Sequence, residues 1–256
     1  MQRTQGAAHL TCSAAGVRRW REEGAAKIRL PTRPPGAPAE AILINTAGGL
    51  TGGDRLRWTI EANDSALIAT TQAAEKIYRS AGGEAVVAAE LKAGPGARLF
   101  WLPQETILFD GARLARSLHA DLDGNAAFLA LEAIVFGREA MGESISDLSF
   151  HDRWRIRRDG RLIFADDIRI GGPLPRTPAT LADAGAIATL LLISADPESH
   201  LAPLRDIFGG DGAVSAWDGK LLARIRTKDG FALRKLLNPA LQRLLPEGAL
   251  PAIWSS

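Results

Sequence analysis

RLRWTIEA, residues 55–62, decides the fold class: Leu56, Trp58, Ile60 and Ala62 alternate with Arg55, Arg57, Thr59 and Glu61. That period of two is the pattern of a strand with one buried face. Working outward, similar short runs follow at 66–71, 84–92, 97–102, 114–122 and 127–136, separated by turn residues at 81–83, 94–96, 110–111 and 123–125. Asp159-Gly160 and Trp217-Asp218-Gly219-Lys220 read as hairpin tips. Strands this short and this regularly spaced predict a mainly β protein, its strands stacked in a β-helical or layered body, rather than a βαβ sheet. Helices are expected mostly in the C-terminal third. Asp196 and Pro197 open one that ends at Gly209, with Leu201, Leu204, Ile207 and Phe208 as its apolar stripe. A second pattern at 231–245 carries Leu233, Leu236, Leu237, Leu241 and Leu244; Pro239 is expected to kink or split it, with Asn238 capping the second piece. No linker divides the 256 residues, so one domain is expected, β-rich over 41–195 with helices and a hairpin over 196–254.

Composition narrows the function classes. With 46% hydrophobic and 23% charged residues the chain is an ordinary globular one, and its net charge of +2 gives no reason to expect nucleic-acid binding. No apolar run approaches the ~18 to 20 residues of a membrane span. The N-terminus lacks a cleavable-leader pattern and Cys12 is the sole cysteine, so a cytoplasmic location is expected and a disulfide framework is not. Arg153, Arg155, Arg157, Arg158 and Arg161 could line a phosphate backbone, but their alternation with Trp154 and Ile156 reads more simply as the solvated face of a strand.

Motifs for chemistry are sparse. NTAGGLTGGDRL, residues 45–56, has the glycine density of an anion loop, yet lacks a Gly-Lys-Ser/Thr ending and precedes a strand rather than a helix. Gly48, Gly49, Gly52 and Gly53 are therefore expected to form a structural turn that presents Asp54. The histidines His9, His119, His151 and His200 are scattered and pair with no cysteine, which argues against a preformed zinc or copper site. Ser80, Ser117, Ser144 and Ser149 lie in no nucleophile elbow, and the adjacent Asp166 and Asp167 would face opposite sides of a strand. What stands out is carboxylates inside apolar runs: Glu75, Glu105 and Glu132. Each needs a partner if buried, Arg79, Arg113 or Arg138 being the simple choices. Several together could instead pass a hydrated divalent cation along oxygen ligands. Glu132 is the sharpest of them because it interrupts the most apolar strand.

The strings INTAGGLTGGDRL (44–56), TTQAAEKIYRS (70–80), WLPQETILFDGARL (101–114) and VFGREAMGE (135–143) recur in one known family. They are followed by DRWRIRRDGRLIFAD (152–166), ATLLLISADPE (188–198), SAWDGKLLARI (215–225) and LPAIW (250–254). In series they resemble the urease accessory proteins called UreD or UreH, from about Ala15 to Trp254. The resemblance implies a β-helical fold with few helices and a non-enzymatic scaffold that binds the urease apoprotein and accessory protein F, which recruits the GTPase accessory protein G that carries nickel. It implies no tightly bound cofactor, only Ni²⁺ in transit through a polar passage, for which the matching acids are Asp54, Glu75, Glu105, Asp110, Glu132 and Asp166; at Asp166 the family more often has Glu. The partner surface expected for accessory protein F is the leucine-rich helices, Leu201, Leu204, Phe208, Leu237 and Leu241. Nucleic-acid and membrane partners are not expected. A hydrolase using buried carboxylates and an RNA-binding β domain are the competing classes.

Overall fold

The computed structural model describes residues 3–137 and 144–254. In chain order the strands are β1 (Gln5–Ser13), β2 (Gly16–Gly24), β3 (Ala26–Arg29), β4 (Ala39–Asn45), β5 (Arg55–Asn63), β6 (Ala66–Thr71), β7 (Glu75–Ile77), β8 (Ala85–Ala93), β9 (Arg98–Leu102) and β10 (Thr106–Leu108). They continue with β11 (Arg113–Leu122), β12 (Ala127–Phe136), β13 (Ser149–Arg158), β14 (Arg161–Gly171) and β15 (Ala186–Ile193). Helix α1 (Leu201–Phe208), β16 (Gly212–Trp217), β17 (Lys220–Thr227) and α2 (Gly230–Leu244) complete the chain.

The chain coils. From β4 to β13 the longer strands alternate between a seven-stranded sheet ordered β14-β13-β11-β8-β5-β1-β2 and a ten-stranded sheet whose path is β16-β17-β15-β12-β9-β6-β4-β3. Within the coil, neighbours in each sheet are parallel, as in β5 with β8, β8 with β11, and β6 with β9. Parallel neighbours need a crossover, and here each crossover is itself a strand of the facing sheet. The short β7 and β10 pair in parallel beside β12 and widen the second sheet. Antiparallel pairs close the ends: β1 with β2, β13 with β14, and β15, β17 and β16. Both expected hairpin tips are present, with Asp159 and Gly160 at φ 49° and 77° and Asp218 and Gly219 at φ 45° and 71°, the left-handed pair a tight hairpin demands.

The alternation read from 55–62 matches burial strictly: Leu56, Trp58, Ile60 and Ala62 enter the core between the sheets. β12 does not alternate, because a second core lies on its other face, where α1 and α2 cover the ten-stranded sheet. Strands buried on both faces become continuously apolar. The β-rich part starts earlier than residue 41, since β1, β2 and β3 occupy residues 5–29. Arg-rich β2 is almost wholly exposed and carries no apolar periodicity to read.

The helices depart from expectation in three ways. Leu204, Phe208, Leu237 and Leu241 are each no more than 1% exposed, packed into the second core with Leu201 half-buried at its margin. They cover this chain's own sheet, which has two apolar faces to bury, and so are not an exposed docking surface. Pro239 sits inside an unbroken α2, and Asn238 donates to the carbonyl of Trp254 (2.8 Å) rather than capping a second helix. The cap is Asp229, which accepts from the Ala232 amide (2.7 Å); Asp196 makes no side-chain cap, and a short 3-10 turn at Glu198–His200 leads into α1.

Candidate functional site

The glycine loop between β4 and β5 is a structural turn. Its amides point inward: Leu50 donates to the carbonyl of Lys76 (2.8 Å) and Gly53 to that of Glu84 (2.9 Å). Asp54, 4% exposed, accepts from the amides of Thr4 and Thr51, both at 2.8 Å. It pins the N-terminal segment to the loop, and both of its oxygens are engaged. A Cβ on Gly52 would lie 2.0 Å from Ser80 Oγ and 2.4 Å from the Gly82 carbonyl, so the close approach of two loops requires glycine there.

Among the described residues the interior of the sandwich holds one charged cluster, built on Arg116. Arg116, from β11 in the seven-stranded sheet, reaches across to Glu132 of β12 in the ten-stranded sheet, with Nη1 to Oε2 at 2.6 Å. On its own sheet it forks onto Asp152 of β13, with Nη2 to Oδ2 at 2.7 Å and Nε to Oδ1 at 3.1 Å. Arg116 Nη1 also donates to Thr106 Oγ1 (3.0 Å), and Trp101 Nε1 donates to Glu132 Oε1 (2.8 Å). All three charged side chains are buried, at 3–6% side-chain exposure. One cation thus faces two carboxylates in a water-poor space. Burial pushes the Glu132 carboxyl up to about 7 against the pull of Arg116, with Asp152 adding to the rise. Burial also works against the charge of Arg116, but the two carboxylates outweigh it and hold the guanidinium protonated.

Beside this cluster is a cavity of about 40 Å³ lined by Trp58, Thr71, Glu75, Trp101, Gln104, Arg116 and Glu132 among others, room for a few waters at most. Trp58, Thr71 and Glu75 also line a groove of about 370 Å³ with Asn45, Gly48, Gly49 and Gln72. Glu75 therefore stands at the wall between interior and groove. It accepts from Asn45 Nδ2 at 3.0 and 3.2 Å and has no ion-pair partner among the described residues. Burial raises its carboxyl to about 7, opposed by the Asn45 amide and the Lys76 backbone N–H.

Of the acids singled out, the fold brings only Glu75 and Glu132 to this cavity. Glu105 follows cavity-lining Gln104, and its carbonyl accepts from the Glu75 amide (2.9 Å), but its side chain turns to α2 and is forked by Arg234, both Nη2 contacts being 2.8 Å. Asp110 lies at the surface, where the amides of Ser146 and Asp147 and the Ser146 hydroxyl, with Arg79, hold it down at about 2. Asp166 pairs with Arg224 (2.6 Å), a link between β14 and β17, while adjacent Asp167 faces the other way onto His151 and Arg155. Among the described residues no three His, Cys, Asp or Glu side chains converge as metal ligands. The partners of the acids differ from those expected: Arg79 serves Asp110 and Arg113 serves Asp147 (2.7 Å), while Arg138 lies outside the described residues.

Arg116 and Asp152 were not singled out in the sequence, though the signal exists. In RLARSLHADL, Arg116 shares the parity of Leu114, Leu118 and Leu122; in SFHDRWRIRR, Asp152 shares that of Phe150, Trp154 and Ile156. A charge in phase with the core residues of a strand is a buried charge. Of the arginines out of phase, Arg153 and Arg157 are exposed, in line with the solvated-face reading, while Arg155 is half-buried in its pair with Asp167. Among the described residues no helix is long and apolar enough to cross a membrane.

Comparison with known proteins gives this architecture its context. A family model described as UreD urease accessory protein matches residues 5–255. The chain is 49% identical over 238 residues to the urease accessory protein UreD of Agrobacterium fabrum, covering 91% of this chain and 84% of that one. It is 48% identical to the UreD of Mesorhizobium japonicum, over 99% of this chain and 95% of the relative, and 46% identical to that of Rhizobium leguminosarum bv. viciae, over 99% and 96%. The chain belongs to the UreD urease accessory protein family and has its role in urease maturation.

Proposed function

We propose that the chain is a non-enzymatic scaffold, working in the cytoplasm, that binds the urease apoprotein together with accessory proteins F and G and supports insertion of Ni²⁺ into urease, the metal being cargo rather than a resident cofactor. The observation that carries the cargo reading is Glu75: an interior carboxylate on the wall between an open groove and the cavity that also contains Glu132, with only neutral donors on its oxygens. A lone carboxylate with amide and hydroxyl neighbours binds a borderline divalent cation loosely and releases it fast, as a passage requires, whereas thiolate or imidazole clusters would trap it. Asp54, Glu105, Asp110 and Asp166 act in this reading by holding loops and layers in place.

The test is co-expression of urease and its accessory proteins with this chain or its Glu75→Gln variant, followed by purification of urease. Complex assembly should be kept while nickel content and activity fall several-fold. Normal nickel content at a normal activation rate would remove Glu75 from the path.

A further inference from the structure

The two sheets are finished differently. The outer face of the ten-stranded sheet is covered by α1 and α2, whereas no described element packs on the outer face of the seven-stranded sheet. Its register can be read rung by rung. One rung runs Glu23, Ala7, Arg57, Ala88, Ser117, Arg153 and Asp167 across β2, β1, β5, β8, β11, β13 and β14, its two arginines inside two acids that make no ion pair with them. The next rung runs Arg55, Val86, Ala115, His151 and Arg169. Val86, Ala88, Ala115 and Ser117 are half-buried, and the arginines on either side are exposed. The floor is therefore two strands wide, and Arg57 and Arg153 stand about 14 Å apart, three strand spacings. On the Arg55 and Arg57 side the face dips into a groove of about 330 Å³ that includes Ala7 and Glu23.

The charges on this face are unevenly satisfied. Glu61 is held by His9 (3.1 Å), Glu90 by His119 (3.4 Å) and Asp167 by Arg155 (2.6 Å). Arg55, Arg57, Arg153 and Arg169 have no hydrogen-bonded or ion-paired side-chain partner among the described residues. The whole chain carries only +2, so this cationic excess is local. Unpaired arginines flanking a flat floor of small side chains complement carboxylates set around a low apolar ridge. Seven strands of about nine residues span roughly 29 by 30 Å, about 850 Å², and one side of a standard protein interface is about 800 Å².

We propose that this uncovered face docks an acidic protein surface, contributed by a partner in the maturation assembly. The proposal rests on the scaffold reading above and adds to it the location and the partner's chemistry. A nucleic acid is disfavoured by the same geometry: the exposed Trp20 pairs with core residue Leu10 and so falls on the opposite parity, leaving no exposed aromatic among the described residues on this face for bases to stack on.

The full-length chain, co-expressed and purified with the urease apoprotein and accessory proteins F and G, is compared with R57E/R153E, the milder R57Q/R153Q, and R243E on the helix layer. Pull-down is quantified at low and high salt, with circular dichroism to show that each variant is folded. The proposal expects one partner to be lost from R57E/R153E by on the order of 30-fold, R57Q/R153Q to be intermediate, R243E to behave as wild type, and wild-type retention to drop as salt rises. Full retention by folded R57E/R153E overturns it, as does an equal loss in R243E. A wild-type self-association that the reversal abolishes, or RNA binding that it abolishes, assigns the face to another occupant and also overturns it. If the wild-type chain retains none of the three proteins, the scaffold reading itself fails and the docking proposal falls with it.

Discussion

Arg116→Met is the most discriminating single perturbation of the interior. The substitution keeps an unbranched apolar stem in place of the arginine's but removes the guanidinium that donates to Glu132 at 2.6 Å, to Asp152 at 2.7 and 3.1 Å and to Thr106 at 3.0 Å. Two buried carboxylates then lose their counter-charge, a loss of about 3–5 kcal/mol. In a chain of this size each kcal/mol shifts Tm by about 2–4 °C, so Tm near pH 7.5 should drop by roughly 6–20 °C. The pH dependence identifies the cause. Without Arg116 the folded-state pKa of Glu132 rises further above the unfolded value, because the guanidinium is what pulls it down against burial. The protonated form of Glu132 is compatible with burial, so its stability contribution is retained below the unfolded pKa and lost as pH rises through the folded one. The Tm deficit should accordingly narrow at about pH 5 and widen at about pH 8. Thermal unfolding followed by circular dichroism reads this directly. An equal deficit at both pH values, or one no larger than that of the exposed Arg153→Met, would refute the claim that the cluster's charge imbalance matters. Replacing all three with apolar residues, R116M/E132L/D152L, should recover most of the loss.

Further outcomes follow from single contacts. Glu75→Gln should flatten the decline in stability between about pH 5 and 8: the carboxyl is raised to about 7 in the folded state, so wild-type stability is full below the ordinary value and falls as pH rises through 7; an unchanged pH profile by thermal unfolding contradicts this. Gly52→Val places atoms into Ser80 and the Gly82 carbonyl and should cost about 3 kcal/mol in chemical denaturation, whereas added nucleotide should leave the wild-type curve unmoved. Arg234→Ala strands Glu105, which is 8% exposed, and loosens α2 from the β9–β10 loop; a loss of about 2–4 kcal/mol is expected, and less than about 1 would show the pair to be dispensable. Cys12 is buried with its thiol pushed above the ordinary value by that burial, so alkylation at neutral pH should track unfolding rather than precede it.

The coil of strands was legible because its signals are local. Alternation in 55–62 and 114–122, the run of 127–136 that is apolar but for Glu132 and the hairpin tips at Asp159-Gly160 and Asp218-Gly219 all coincide with observed elements. The helices' role was not legible, since an apolar stripe on α2 looks the same whether it meets a partner or the chain's own sheet. That choice is made by β12, whose burial on both faces demands a cover. The edge strand β2 was missed because it buries almost nothing. In the site, the oddity of Glu132 was legible from its neighbours, but its partner lies 16 residues away on the facing sheet. Pairing across two sheets depends on register, which no local pattern encodes.

Register also decides which interior acid suits a moving cation. Glu132 stands out in the sequence as the one charge in an apolar strand, yet each of its oxygens already accepts from an N–H, Trp101 on one and Arg116 on the other. A cation could take Glu132 only by displacing the guanidinium that also satisfies Asp152. Glu75 has no such competitor: Asn45 is a neutral donor and the groove lies on its far side. The same geometry makes Glu132→Gln a poor isostere, because the new NH₂ must face either the Trp101 or the Arg116 donor, leaving a buried clash of about 1–3 kcal/mol. Nickel loading per assembled complex should therefore fall further in Glu75→Gln than in Glu132→Gln, while the amount of folded complex should fall further in Glu132→Gln. Measuring metal by mass spectrometry and complex by size exclusion separates the two quantities, and the reverse ranking in either would mean that the guanidinium yields to the cation and that Glu132 is the acid in the path.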